Sequence, residues 1–230
     1  MDWMDRLYLF QPLDFVAVGV LFLSWALIGW RIENPGKTRS VAVLMSQHRR
    51  NWMREMVQRD NRIFDSQMLG ILRQGAAFFT SACMIAMGGT LALIGNAERV
   101  ARLGNDLVID DDPAIVWEIK LIAVLLLLIN AFLTFVWSHR LFGYCAVLMA
   151  AVPNDPDDPA ACARATQAGE LNVTAARSYN RGLRSIYFAL AATAWLFDPI
   201  ALLVAVVFTC AVLWRREFAS KSRAALLETP

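Results

Sequence analysis

Residues 112–144 read DPAIVWEIKLIAVLLLLINAFLTFVWSHRLFGY, and this stretch decides the fold. Its middle part, Leu121 to Trp137, has no charged side chain. A helix needs about 20 mostly apolar residues to cross a bilayer. Asp112 and Pro113 are typical of a helix start, because aspartate caps the first turn and proline is tolerated at the first helical position. The stretch therefore predicts a membrane-spanning helix.

The composition of the whole chain also indicates a membrane protein. Of its 230 residues, 57% are hydrophobic and 18% are charged, and the mean hydropathy is +0.44. Soluble domains are usually about 45–50% apolar. The four cysteines have no CxxC spacing, so the sequence predicts neither a disulfide framework nor a cysteine metal site. Basic residues beside apolar runs favour anionic lipid over nucleic acid as the partner.

The pattern of apolar runs predicts an all-α, polytopic helical membrane protein with four to five transmembrane segments, read as one membrane domain over 1–230. The predicted spans are approximately 13–30, 75–94, 114–137, 183–197 and 199–214. Small residues in the second span favour close helix packing, so we expect that span to be central in the bundle.

Two further helices are predicted outside the spans, over 39–59 and 159–178. The first is amphipathic and rich in arginine. It has two readings: a helix on the cytoplasmic membrane surface, or a solvated helix packed against its own protein.

The last apolar region, residues 183–214, also has two readings. It is either one kinked helix or a helical hairpin broken at Asp198-Pro199. Loops rich in arginine and lysine stay in the cytoplasm. The basic loop 31–73 and the basic tail Arg215 to Arg223 can both be cytoplasmic only if the chain crosses an even number of times after residue 185. This favours the hairpin, with the N-terminus outside and the C-terminus in the cytoplasm.

Ionisable residues inside apolar spans define a first candidate site. An unpaired charge at membrane depth costs several kcal/mol, so such residues need partners and are functional candidates. We expect Lys120 to pair with Asp198 or Asp14 on the outer side. The alternative is that Glu118 and Lys120 reach the headgroup level. The candidate outer polar cluster is Asp14, Glu118, Lys120 and Asp198.

Arginines on the inner side define a second candidate site, a surface for anionic lipid or another anion. Arginine suits bidentate pairing with carboxylate or phosphate. We expect Arg50 or Arg62 to pair with Asp65 or a neighbouring acid. The candidate inner surface is Arg49, Arg50, Arg54, Arg62, Arg140, Arg181 and Arg184. No motif predicts catalytic residues, a metal site or a cofactor.

Several longer segments together resemble one known family. They are RRNWMREMVQRDNRIFDSQMLG (49–70), FFTSACMIAMGG (78–89), WEIKL and WSHRLFGY (117–144), and NRGLRSIYFALAATAWLF with RREFAS (180–220). They resemble the integral-membrane family of bacteria and plants called domain of unknown function 599, over about residues 13–220. The resemblance implies a multi-span helical membrane protein and lends no catalytic residues. We expect the protein to lie in the bacterial inner membrane.

Three classes of function stay open at this point. The first is a non-enzymatic accessory or self-assembling scaffold protein, a homo-oligomer or a subunit of a membrane complex. The second is an oligomeric channel or transporter with a polar outer pocket around Lys120 and Asp198. The third is a membrane enzyme acting on lipid, for which His139 beside an acid is the one candidate.

Overall fold

A computed structural model describes residues 9–105 and 113–227, and within these ranges the chain is helical and contains no strand. In chain order the helices are α1 (Pro12–Glu33), α2 (Val41–Val57), α3 (Ile63–Ile94), α4 (Ala97–Asn105), α5 (Ala114–Ala150), α6 (Pro159–Thr193), a 3-10 turn (Ala194–Leu196), α7 (Pro199–Phe218) and α8 (Lys221–Leu227).

Four of these helical segments are long and apolar enough to cross a membrane: α1, α3, α5 and the segment Pro199–Leu227. The all-α prediction is therefore confirmed. α3 and α5 extend well beyond the predicted spans 75–94 and 114–137, because a helix continues past the end of an apolar run until a breaker stops it. α5 ends three residues before Pro153, the next proline along the chain. Asp112, the predicted cap of α5, lies outside the described residues.

α6 differs from its prediction. The sequence predicts a surface helix over 159–178 and a separate span over 183–197, but α6 runs without a break from Pro159 to Thr193. The intervening residues become polar without containing a proline, and the one glycine, Gly182, does not end the helix. A change of polarity is not a helix stop signal.

The predicted break at Asp198-Pro199 is confirmed. α6 passes into a 3-10 turn, and α7 begins at Pro199. The Ile200 amide donates a hydrogen bond of 2.6 Å to Oδ1 of Asp198, which is an N-cap contact. Pro199 occupies the first helical position, where a missing N–H has no cost.

Contact clustering divides the chain into two compact units whose segments alternate. Unit 1 comprises Met1–Trp30, Cys83–Ala131 and Leu183–Arg215. Unit 2 comprises Arg31–Ala82, Phe132–Gly182 and Arg216–Pro230. Unit 2 holds 16 of the 22 lysine and arginine residues, and the formal charges are +6 for unit 2 and −4 for unit 1.

The core of unit 2 is built on the packing of α5 against α6. The fully buried residues of α6 include Ala161, Ala165, Ala168, Asn172 and Ala175, which recur at helical spacing. Their small side chains let α5 approach closely. The Ser138 hydroxyl of α5 therefore reaches the Ala175 carbonyl at 2.8 Å, and the Cys145 thiol reaches the Ala168 carbonyl at 3.3 Å.

α2 packs into the same core. Met53, Met56 and Val57 are fully buried, and a Cβ on Gly169 of α6 would lie 3.6 Å from Met53 Cβ. The apolar side of α2 therefore contacts protein, as in the second of the two readings given for this helix.

α3 does not have the central place expected for the second span. Within the single chain, 6% of its most apolar 18 residues are buried, against 39% for α5. The expectation is wrong for the single chain because the small residues Gly88, Gly89 and Ala92 lie on an exposed face.

Candidate functional site

The arginines of α2 reach across to α6. Arg50 forms a bidentate pair with Glu170, with Nε 2.5 Å from Oε1 and Nη2 3.0 Å from Oε2. Hydrogen bonding from Arg50 lowers the pKa of Glu170, and the nearby charges of Arg177 and Arg54 act in the same direction. The expected partnership of Arg50 with a neighbouring acid is present, and it joins two helices.

Arg49 has a different environment. Its Nη1 donates a hydrogen bond of 2.6 Å to Oδ1 of Asn172, which is fully buried, and Asn172 Nδ2 lies 3.8 Å from Cys145 Sγ. Burial lowers the pKa of Arg49. Arg49 thus satisfies a buried amide in the core and is not part of an open anion surface.

Asp65 is fully buried beneath α2. Its Oδ1 accepts hydrogen bonds from Nε1 of Trp52, at 2.6 Å, and from Nη1 of Arg59, while its Oδ2 has no partner. Of the two partners predicted for Arg50 or Arg62, Asp65 is paired with Arg59 instead, and the second alternative, a neighbouring acid, is the one present in the Arg50–Glu170 pair. Arg59 is six residues from Asp65 and needs only a short turn to reach it.

Arg62 binds the C-terminal end of α5. Its Nη1 and Nη2 donate hydrogen bonds to the carbonyls of Val152 (2.8 Å) and Pro153 (2.7 Å). A cation at this end suits the helix dipole. Arg164 donates similarly to the Ala151 carbonyl at 2.7 Å.

The other predicted inner-side arginines each have contacts of their own. Arg181 pairs bidentately with Glu33, Arg140 donates to the Tyr144 hydroxyl at 2.7 Å, and Arg54 is exposed near Glu170. Arg184 belongs to unit 1, where a Cβ placed on Gly29 would lie 3.5 Å from Arg184 Nε.

The outer candidates all belong to unit 1, and two of them act at helix starts. Buried Asp14 accepts a hydrogen bond of 2.6 Å from Nε1 of Trp195 and one of 2.9 Å from the Gln11 amide. The second contact is half of a capping box at the start of α1. Asp198 caps α7 and is exposed.

Lys120 and Glu118 lie near the start of α5. Lys120 is 5% exposed, and its ammonium lies 5.6 Å from the ring centre of Trp117. Glu118 lines a polar cavity of about 350 Å³ with Asn96, Glu98, Arg99 and Arg102. The expected pairing of Lys120 with Asp198 or Asp14 stays a prediction.

Sequence reasoning missed a cavity of about 410 Å³ in unit 2. It lies between α3 and α5 and has an apolar floor. Its lining includes Arg62, Ser66, Arg73 and Asn154 as polar groups. Arg73 Nε donates a hydrogen bond of 3.1 Å to Nε2 of His139. Arg62 and Arg73 are eleven residues apart, which is about three helical turns. This spacing is the sequence signal that could have placed both arginines on one side of a helix.

These features define a helical protein with four candidate membrane-spanning helices and a strongly basic unit. Among the described residues, no three His, Cys, Asp or Glu side chains are placed to share a metal ion. The chain belongs to the family described as "Protein of unknown function, DUF599", which matches residues 16–222. No curated protein and no solved structure matches it.

Proposed function

We propose that this chain is an integral protein of the bacterial inner membrane with a non-enzymatic role, as a self-assembling scaffold or an accessory subunit. One observation carries the proposal: the polar groups of the candidate sites join helices to each other. Arg50 and Glu170 tie α2 to α6, and Asp14 and Trp195 tie α1 to the turn after α6. Satisfied polar networks of this kind make a rigid platform.

The proposed topology has the N-terminus outside, the C-terminus in the cytoplasm, and a hairpin around Asp198-Pro199. The charge of unit 2 supports its assignment to the cytoplasmic side, because basic residues stay inside. In this arrangement α2 lies along the cytoplasmic face, and exposed arginines such as Arg54 contact anionic lipid headgroups.

Cysteine labelling tests this topology. Cys162 is free and exposed on α6, whereas Cys83 and Cys145 are buried. We expect a membrane-impermeant maleimide to label Cys162 only after cells are permeabilised. In a variant with Cys162→Ser, a cysteine at exposed position 96 (Asn96→Cys) is the matched reporter, because it should react in intact cells. Labelling of Cys162 in intact cells would overturn the topology.

The exposed face of α3 supports assembly with another membrane helix. Gly88, Gly89 and Ala92 lie on this face, and a Cβ on either glycine would meet no atom within 4 Å. Small residues permit close helix approach in lipid, where apolarity alone drives no association. We therefore place the contact with a second copy or a partner subunit on this face.

Native mass spectrometry of protein released gently from its own membrane tests the scaffold proposal. A homo-oligomer, or a complex with other polypeptides, is the expected result, and Gly88→Leu should dissociate it. Gly19→Leu is the matched control, since Gly19 is also exposed with open space around it, but lies on α1. A wild-type chain that leaves the membrane as a monomer contradicts the proposal.

A second candidate function is an oligomeric channel or transporter. It is favoured by Lys120, buried in an apolar helix, and by the polar cavity beside Glu118. Liposome flux assays test it, and Lys120→Met should abolish any flux found. Flux that is equal in wild type and Lys120→Met would rule out this site as the pathway.

A further inference from the structure

We propose that the 410 Å³ cavity between α3 and α5 binds one anionic phospholipid, with an acyl chain on its floor and the anionic headgroup at its arginine rim. The size lies in the range of small-molecule sites, about 300–1,000 Å³. The floor is buried and apolar, formed by Met56, Leu69, Phe142, Met149 and Val152. The rim is exposed and includes Ser66, Gly70, Arg73, Ala150 and Asn154.

The charge of the rim favours an anion. Arg62 donates to two neutral carbonyls, and Arg73 donates to His139. No carboxylate of residues 9–105 and 113–227 forms an ion pair with either guanidinium. By contrast, Arg50, Arg59 and Arg181 in the same unit all have acid partners. Uncompensated guanidinium groups beside an apolar floor are suited to an anionic amphiphile.

The length of the cavity favours an extended acyl chain over a compact solute as its ligand. Arg62 and Arg73 are eleven residues apart, which corresponds to about 16 Å along α3. The floor residues Leu69, Phe142 and Met149 are buried and apolar. A free phosphate ion would leave that floor empty, whereas an acyl chain would cover it.

Exposed apolar residues beside the rim indicate that the acyl chain belongs to a membrane lipid. Ile71, next to Gly70, is 60% exposed, and Val147, next to Ala146, is 68% exposed. Gly70 and Ala146 both line the cavity, and neither has a side chain larger than a methyl group. This step rests on the proposed membrane embedding of the chain, but not on its scaffold role.

Lipid titration of the purified full chain in neutral detergent, followed by native mass spectrometry, tests the proposal. We expect one dioleoyl phosphatidylglycerol per chain, bound at least about tenfold more tightly than dioleoyl phosphatidylcholine, because only the phosphatidylglycerol headgroup has a net negative charge for the arginines of the rim. Inorganic phosphate and oleate are each added as competitors in separate titrations. Neither should displace the phospholipid at equal concentration.

Two variants and two controls locate the binding. Gly70→Leu fills the opening, where a Cβ meets no atom within 4 Å, and Arg73→Gln removes a rim charge. Each should weaken phosphatidylglycerol binding about tenfold. Gly143→Leu and Arg140→Gln should bind as wild type, because Gly143 also has open space and Arg140 is also exposed, yet neither lines the cavity. Thermal unfolding confirms that each variant is folded.

Several outcomes would overturn the proposal. They are equal binding of the two phospholipids, displacement by oleate or phosphate, and Gly70→Leu binding like Gly143→Leu. The same spectra report the oligomeric state. If specific lipid binding is lost while assembly is intact, only the lipid site is rejected. If the chain is monomeric but binds lipid specifically, only the scaffold proposal is rejected.

Discussion

A Cβ atom placed on Gly182 would lie 2.8 Å from the ring carbons of Phe135, closer than real Cβ contacts occur. Phe135 of α5 is fully buried, with its ring stacked on Phe79 of α3 at 5.3 Å between centroids and in edge contact with Tyr179. Three helices of unit 2 therefore meet where α6 has no side chain.

Gly182→Ala should destabilise the protein despite the better helix propensity of alanine. The propensity gain is about 1 kcal/mol. Overpacking costs typically about 1–3 kcal/mol, and the stacked ring of Phe135 has little room to move. We expect a net loss of up to about 2 kcal/mol, measured as a lower Tm in detergent.

Two further variants separate packing from propensity. Gly143→Ala on α5 meets no atom within 4 Å and should be neutral or slightly stabilising. Adding Phe135→Leu to Gly182→Ala should recover part of the lost stability. A Tm of Gly182→Ala at or above that of wild type would contradict the steric argument.

The sequence is informative about where helices form, and less so about where they end. The uncharged run 121–137 and the pair Asp198-Pro199 are local signals, and both α5 and the break after α6 are present. A change in polarity is the only signal in the sequence for ending a helix at residue 178, and α6 continues through it. Polarity reports the surroundings of a helix, and those are set by neighbours such as α5 that the local sequence does not specify.

The sequence predicts which types of residue form the candidate site, but it does not predict which residues pair with each other. The residues 49–65 contain several arginines and Asp65, and sequence gives no means of choosing among the pairs. Arg50 pairs with Glu170, which is 120 residues away, because α2 packs against α6 beside Gly169. The buried alanines of α6 repeat at helical spacing, a pattern that indicates a buried helix face. The low hydrophobicity of alanine makes this pattern hard to recognise in the sequence.

The pair Arg50–Glu170 should make stability sensitive to acid. The folded pKa of Glu170 lies below its unfolded value, so the contribution is fully present above the unfolded pKa and is lost as pH falls through the folded pKa. The pair's side chains are 34% and 53% exposed, and solvent screening limits its contribution to about 0–1 kcal/mol.

Arg50→Gln is therefore expected to lower Tm slightly at pH 7, and this difference should shrink as the pH falls below the unfolded pKa of Glu170. Arg54→Gln is the matched control, because Arg54 is exposed on the same helix and acts on Glu170 only through its charge. A Tm difference between wild type and Arg50→Gln that is as large at pH 3 as at pH 7 would show that the side chain acts through packing alone.

Asp14 and Asp198 both lie at helix starts and accept backbone hydrogen bonds there. Their replacement by alanine should destabilise the protein to different degrees. Asp14→Ala leaves the buried indole N–H of Trp195 without its acceptor, which costs about 1–3 kcal/mol, and also removes the contact to Gln11. Asp198→Ala loses an exposed cap, worth about 1 kcal/mol. Thermal unfolding should therefore rank Asp14→Ala as the less stable variant, and the reverse order would refute a structural role for the Asp14–Trp195 bond.

Ser40 should matter more to α2 than its size suggests, because its buried hydroxyl makes two contacts. It donates a hydrogen bond of 2.6 Å to the Ile32 carbonyl and accepts one of 3.2 Å from the Val43 amide. Ser40→Ala removes both the N-cap and the link to α1, and should cost about 1–2 kcal/mol. Ser46→Ala is the control on the same helix, where the hydroxyl only returns to the Ala42 carbonyl and its loss should be near neutral. Equal Tm values for the two variants would mean that α2 is fixed by its arginines and methionines without the cap.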